Sequence, residues 1–185
     1  GSWTVNALNW AQASGARVTN NSNGYGFTSA AIDTAYNNTH TAGLVHFASA
    51  GNNGVGSLGY PASLGVMNAV AAMDRFGNRA SFSQFGPGLT FSAPGVSINS
   101  TDRQGALGFS SNDYNVVDGT SFASPYASAV ACLILSRNSS LSSAQVETIM
   151  QQSCRDIGPA GYDEGFGWGY VNAQAALNML VPAGD

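Results

Sequence analysis

Apolar positions along this chain switch between two periods, and the switches outline its elements. Near the start, Trp3, Ala7, Leu8 and Ala11 fall close to one helical face and Gly15 closes the segment, which predicts a helix over 3–13. Arg17 to Asn21 reads as a short strand-like exit from it. A second helix is expected from Ser29 to Asn37, stopping at the Asn37-Asn38-Thr39 cluster. Then the period changes. Leu44-Val45-His46-Phe47-Ala48 is a near-continuous apolar run, the pattern of a strand covered on both faces. Val66 to Met73 repeats that pattern, and Leu89 to Ala93 and Val96 to Asn99 are shorter strands. A long loop, Ser49 to Pro61, carries Gly51, Gly54, Gly56 and Gly59, while Gly105 to Val117 reads as a hairpin or a wandering loop. From Thr120 to Ser136 small and apolar residues run almost unbroken, which predicts a helix buried all round. Leu141 to Cys154 and Val171 to Leu180 are amphipathic helices. Strands alternating with helices predict an α/β layered domain with a mostly parallel sheet. No repeat or linker divides the 185 residues, so 1–185 reads as one piece.

Composition narrows the function classes. Charged residues make up 9% of the chain, against roughly 25% in an average domain, so 23 Ser and 17 Asn must supply the polar surface. All six cations are Arg, Lys is absent, and the net charge is −4, which argues against a dedicated nucleic-acid binder. A 44% hydrophobic content at low charge argues against disorder, and no apolar run is long enough to span a membrane. No signal-peptide pattern opens the chain, which leaves a processed chain or a piece of something longer. The Lys-free, Ser/Asn-rich surface points to a secreted, extracellular protein. Sequons at Asn20, Asn37, Asn99 and Asn138 are expected by chance with this much Asn and Ser. Cys132 and Cys154, in two helical segments, are either buried thiols or one disulfide between neighbouring helices.

Two stretches carry candidate chemistry. Asp118-Gly119-Thr120-Ser121-Phe122-Ala123-Ser124-Pro125 puts a serine at the first turn of the long helix, where free backbone N–H groups and the positive dipole end favour an oxyanion. Pro125 fits only near a helix start, which fixes that start close to Ser121. Taken alone, these eight residues are better explained by a plain Thr or Ser helix cap followed by an early proline. Phe47-Ala48-Ser49-Ala50-Gly51-Asn52-Asn53-Gly54 leaves the carboxyl end of a buried strand, where ligands of parallel sheets sit, and an Asn amide there can donate to an oxyanion. A turn that merely uses Asn-Asn-Gly is the plain alternative.

In combination the motifs are specific. Gly51-Asn52, then Ala80-Ser81-Phe82-Ser83, Ala93-Pro94-Gly95 and Gly119-Thr120-Ser121-Phe122-Ala123-Ser124-Pro125, in this order, resemble the subtilisin family of serine peptidases. Trp10-Ala11 near the start and Gly165-Phe166-Gly167 and Val171-Asn172-Ala173 near the end extend the resemblance over essentially the whole chain. It implies a three-layer α/β sandwich and the C-terminal part of a catalytic domain, with N-terminal strands of that fold outside this chain. It also implies Ser121 as nucleophile and the Asn52 amide, with the Ser121 N–H, as oxyanion hole. By the same resemblance, Ser22, Asn23 and Gly24 pair with substrate on one wall of the specificity pocket, and Ser49, Ala50 and Gly51 form the other. Small residues on both walls would leave room for a large apolar side chain.

The departures from the family pattern are as informative. The family orders its triad Asp, His, Ser, with the histidine opening a helix, and neither upstream motif is present. His40 and His46 read as satisfied structural residues, with His46 the nearer of the two to the site. Tyr126 stands where the family commonly has His, Ala129 where it has Gly, and Asn23 where it has an apolar residue, which makes the rim more polar. Calcium is a family property, but Thr90 stands where some members place a ligating Asp, and no metal site carries over. The resemblance therefore implies a secreted serine endopeptidase acting on protein or peptide, with the triad Asp and His supplied by an N-terminal chain or segment. The rivals are a non-catalytic module that binds extended peptide, and an α/β interaction domain with accidental motif matches.

Overall fold

Four of the expected strand regions lie side by side as a parallel sheet: β1 (Val18–Asn21), β2 (Val45–Ser49), β3 (Met67–Met73) and β4 (Leu89–Pro94), in the order β1-β2-β3-β4. The computed structural model describes residues 1–181, so the last four positions of the expected 1–185 unit lie outside it. Side chains alternate across a strand, and here both faces are apolar. Val45, Phe47, Val70, Ala72, Phe91 and Ala93 face one core; Ala48, Ala69, Ala71 and Leu89 face the other. Helices α1 (Ser2–Ala13) and α2 (Ala30–Thr41) cover the second face through Leu8, Ile32, Ala35 and Tyr36. The first face is covered by α3 (Thr120–Arg137), α4 (Ser143–Ser153) and α5 (Ala173–Asn178). The result is the three-layer α/β sandwich expected from sequence, built on a parallel sheet. Arg17 ties its layers together, donating from Nη1 to the Ser139 carbonyl at 2.9 Å and from Nη2 to the Leu141 carbonyl at 2.6 Å.

Several boundaries differ from the sequence expectation, each for a local reason. Helix α2 runs through the Asn37-Asn38-Thr39 cluster instead of stopping there. Asn37 Nδ2 donates to the Asp33 carbonyl and Thr39 Oγ1 to the Ala35 carbonyl, both at 2.7 Å, so these polar side chains bond along the helix, and Thr39 is buried beneath it. The stop comes at Gly43, whose φ of +102° a side chain would resist. Helix α4 begins at Ser143, two residues later than its apolar pattern, because Ser142 and Gln145 form a reciprocal capping box. Helix α3 is not buried all round. Ala123, Ala127, Ala131 and Ile134 are fully buried against the sheet, while Pro125, Tyr126, Cys132 and Leu133 are exposed on the other flank. The run 96–99 does not join the main sheet. It shifts to β5 (Ile98–Thr101), which pairs antiparallel with β6 (Tyr114–Val117), giving a two-stranded hairpin with one turn of 3₁₀ helix at Gly105–Leu107. The last helix shortens to α5, capped by Asn172 Oδ1 on the Ala175 N–H at 3.0 Å.

His46 is a satisfied structural residue of the core. It is fully buried in β2, with Nδ1 2.6 Å from Thr19 Oγ1 and Nε2 3.1 Å from Thr39 Oγ1. Because the Thr39 hydroxyl donates to Ala35, Nε2 is assigned the ring proton and Nδ1 accepts from Thr19. Burial, reinforced by the neighbouring His40, pushes the His46 pKa from 6.5 down to about 4. His40, in the last turn of α2, is half-buried, with Nε2 3.4 Å from Glu147 of α4. The cysteines form neither a disulfide nor a buried pair: both are free, Cys132 exposed and Cys154 half-buried.

Two predictions follow from this packing. The native state holds His46 neutral, whereas an unfolded chain protonates it near 6.5, so stability is complete above that pH and falls as pH drops towards 4. The size is about 3 kcal/mol over that window. Urea melts between pH 7 and pH 4 should show the fall, and His46→Gln should flatten this part of the curve. Both cysteines are unpaired and burial pushes the Cys154 thiol up to about 12, so non-reduced protein should titrate as two free thiols, with the more exposed Cys132 alkylated well before Cys154.

Candidate active site

The carboxyl ends of β1 and β2 and the amino end of α3 converge on one rim of the sheet. This convergence brings together residues that are far apart in sequence. Small side chains on α3 allow it: Ala123, Ser124 and Ala127 are fully buried where the helix lies against the strands. Gly119 precedes the helix and is held by its N–H on the Gly95 carbonyl at 2.8 Å. Thr120 and Ser121 then occupy the first turn.

Asn52 and Ser121 meet at this rim. Asn52 Oδ1 accepts from the Thr120 N–H at 2.9 Å and from Thr120 Oγ1 at 2.8 Å. The Thr120 hydroxyl in turn accepts from the Gly51 N–H at 3.2 Å. With its oxygen bound twice, the Asn52 amide has one orientation, and its Nδ2 lies against Gly119, two residues before Ser121. Ser121 Oγ donates to the Ser22 carbonyl at 2.8 Å, and Ser22 Oγ donates back to the Ser121 carbonyl at 2.8 Å. Ser124 Oγ adds a 2.6 Å bond to Asn20 Oδ1, so the end of β1 is tied to the start of α3 three times.

A cavity of about 250 Å³ opens beside Ser121. Ser22 and Gly24 line one side, and Ser49, Gly51 and Asn52 the other. Two expected wall residues do not line it. Ala50 is fully buried in the α1/α2-side core and supports the wall through its backbone, with its N–H on Val70 and its carbonyl accepting from Gly59. Asn23 lies on the outer side, lining a separate cavity with Trp3, Trp10 and Tyr25. The pocket is also not an open apolar slot. Tyr25, Tyr60, Asn53 and Gln84 line its remainder, and both tyrosines are pinned: Tyr60 Oη donates to Asp33 Oδ1 at 2.6 Å, and Tyr25 Oη lies 2.7 Å from Thr4 Oγ1.

Gln84 is the residue the sequence reading missed. Its side chain is buried at 5% exposure, donating from Nε2 to the Ser57 carbonyl at 2.6 Å and packing directly on Gly51. At Gly51, φ is +114° and any Cβ would run into that amide, so the glycine is required twice over. Its only sequence signal was its place just after Ala80-Ser81-Phe82-Ser83.

Neither histidine reaches Ser121. The His46 ring packs edge-on against Tyr36 at 5.1 Å on the α2 side of the sheet, whereas α3 lies on the other side, so the sheet stands between them. Thr90 offers no metal site: its hydroxyl donates to the Gly88 carbonyl and accepts from the Ala69 N–H, and it carries no charge. Among the described residues no group of three or more His, Cys, Asp or Glu comes together.

Known proteins resemble this chain in sequence and in fold. Residues 1–169 match the family described as the Subtilase family. The chain is 37% identical over 169 residues to Subtilisin Savinase of Lederbergia lenta, covering 91% of this chain and 59% of that protein. It is equally similar, 37% over 169 residues, to an alkaline protease of Shouchella clausii, with 91% and 42% covered. It thus spans about half the length of these curated relatives. Among solved structures, a lanthipeptide protease superposes with a TM-score of 0.84 at 26% identity, covering 96% of this chain and 65% of that one. A psychrophilic subtilisin-like protease from the Antarctic psychrotroph Pseudoalteromonas sp. AS-11 superposes with a TM-score of 0.85, covering 93% and 72%; at 19% identity it speaks for the fold alone. By sequence over nine-tenths of its length, this chain belongs to the subtilase family.

Proposed function

We propose that this chain is the C-terminal part of a subtilisin-like serine endopeptidase domain and carries its nucleophile and oxyanion donor. In this reading Ser121 attacks the scissile carbonyl, the Asn52 Nδ2 and the Ser121 N–H bind the oxyanion, and water releases the acyl group. Substrate lies along Ser22 to Gly24 and along Ser49 to Gly51, with Asn23 on the outer rim and Ala50 as backbone support. The reading is supported by the Asn52 amide, fixed by two bonds to Thr120 with its donor end turned to Gly119, in a cavity that Asn52 and Ser121 both line.

The base and its carboxylate come, in this reading, from a segment or chain carrying the family's Asp and His motifs. Ser121 donates to a neutral backbone carbonyl and contacts no imidazole, so its hydroxyl is not activated here. Support for a docking partner comes from β1. Among the described residues it pairs only with β2, and beside it Trp3 and Trp10 are 89% and 72% exposed over a cavity of about 470 Å³. The substrate is protein or peptide, and the setting is extracellular. No helix of the described residues is long and apolar enough to cross a membrane.

The chain alone should react negligibly with a serine-directed fluorophosphonate, because loss of the histidine alone costs about 10⁶ in kcat in subtilisin itself. Joined to the segment bearing the Asp and His motifs, it should label at Ser121 and hydrolyse peptides, and Ser121→Ala should abolish both. In that active form Asn52→Ala should lower kcat by about 10²–10³ with little change in KM, a size taken from loss of one oxyanion-hole donor in subtilisin. Unchanged kcat would remove Asn52 from the oxyanion hole. Tight peptide binding without cleavage in the joined form would favour a non-catalytic peptide-binding module.

A further inference from the structure

The chain holds two Asn-Gly pairs, Asn23-Gly24 and Asn53-Gly54, one on each side of the Ser121 cleft. Asn-Gly is the dipeptide most open to intramolecular deamidation, because a following glycine has no Cβ to hinder approach of its nitrogen to the asparagine side chain. The two pairs sit in opposite environments. The Gly54 N–H donates to the Phe82 carbonyl at 2.7 Å, and the Asn53 N–H points to Gln84 Oε1 at 3.4 Å, so this nucleophilic nitrogen is engaged in a bonded turn. The Gly24 N–H has no acceptor among the described residues, Asn23 and Gly24 are both exposed, and the Asn23 side chain makes no hydrogen bond.

We propose that Asn23 is a spontaneous modification site and Asn53 is not. The deprotonated Gly24 nitrogen attacks Asn23 Cγ, forming the C–N bond of a succinimide and releasing the side-chain nitrogen as ammonia. Water then opens the ring at either carbonyl to give aspartate or isoaspartate at position 23, with no change of oxidation state. Both products bring a negative charge to the rim above Ser22 and Gly24, and isoaspartate also inserts a methylene into the backbone there. On the reading of Ser22–Gly24 as a substrate-pairing edge, the modification weakens peptide binding with time and alkalinity. The modification itself does not depend on that reading.

The test is peptide mapping by mass spectrometry after incubating the purified protein at neutral and mildly alkaline pH, folded and in denaturant. In the folded protein Asn23 should convert faster than Asn53 by about tenfold or more, since Asn53 must first open its turn. The rate at Asn23 should rise with pH, and denaturant should close the gap between the two sites. Gly24→Ala should slow conversion at Asn23. Equal rates in the folded protein, an unmodified Asn23, or a gap that persists in denaturant would each overturn the proposal. Conversion at Asn23 without loss of peptide binding would leave the modification standing and remove this segment from the substrate edge.

Discussion

One side-chain oxygen holds the candidate site together. Asn52 Oδ1 takes both the backbone N–H and the hydroxyl of Thr120, so a loop leaving β2 and a helix entering the opposite layer share one anchor. The first N–H groups of a helix have no partner inside it. Spending the Thr120 N–H on Asn52 satisfies one of them and leaves the next, at Ser121, for whatever binds in the cleft. The same bonds orient the asparagine amide. An isolated Asn on a glycine-rich loop would sample many rotamers; this one is fixed by a helix that is itself fixed by the core.

That core is ordered with very few charges. In a chain with 9% charged residues, neutral side chains satisfy the buried backbone. Ser83 Oγ accepts from the Ala72 N–H at 3.0 Å, Ser92 Oγ donates to the Phe166 carbonyl at 2.9 Å, and Asn68 Nδ2 donates to the His46 carbonyl at 3.1 Å. Near Ser121 the pattern is the same, with the neutral side chains of Ser22, Ser124, Asn20, Asn52 and Thr120 bonding across the rim. Among the described residues no ion pair anchors the nucleophile. Its position follows from close packing of small residues and short neutral hydrogen bonds.

Sequence pattern reached the architecture because burial on both faces writes itself as uninterrupted apolar runs. Leu44–Ala48 and Val66–Met73 are such runs, and both are central strands. The start of α3 was legible near Pro125, although that proline sits inside the helix, in its second turn, where the Ser121 carbonyl it cannot serve accepts from Ser22 Oγ instead. What escaped were the features that depend on neighbours distant in sequence. The length of α2 depended on where Asn37 and Thr39 could find carbonyls, and nothing local announces that. The solvent-facing flank of α3 was invisible because it carries Tyr126, Ala129, Cys132 and Leu133, apolar residues that read as buried from sequence. At the cleft, Ser22, Gly24, Ser49 and Gly51 lie where the motif order implied. Gln84 and the tyrosines were hidden because their roles arise only when the loop 51–61 folds back over the turn at 80–85. The paired fates of Ala50 and Asn23 have the same origin: successive residues of extended chain point to opposite sides, so a three-residue wall presents its ends and turns its middle away.

The edge of β1 raises the remaining structural question. A four-residue strand with one unpaired side is a weak element by itself, yet its residues are held more firmly than its length implies. Asn20 receives Ser124 and donates to Ser22 Oγ at 2.8 Å, and Asn21 Oδ1 accepts from Tyr36 Oη at 3.1 Å. These side chains rigidify the strand from its two faces and leave its backbone edge free. Exposed edges in stable proteins are commonly blunted by charge or proline. Val18-Thr19-Asn20-Asn21 has neither, and Trp3 and Trp10 stand beside it in solvent. A rigid, uncharged edge flanked by exposed aromatics is suited to receive another strand. A strand seated there would lie next to Ser22, and therefore next to the Ser121 hydroxyl, which is where a base must arrive for this serine to act.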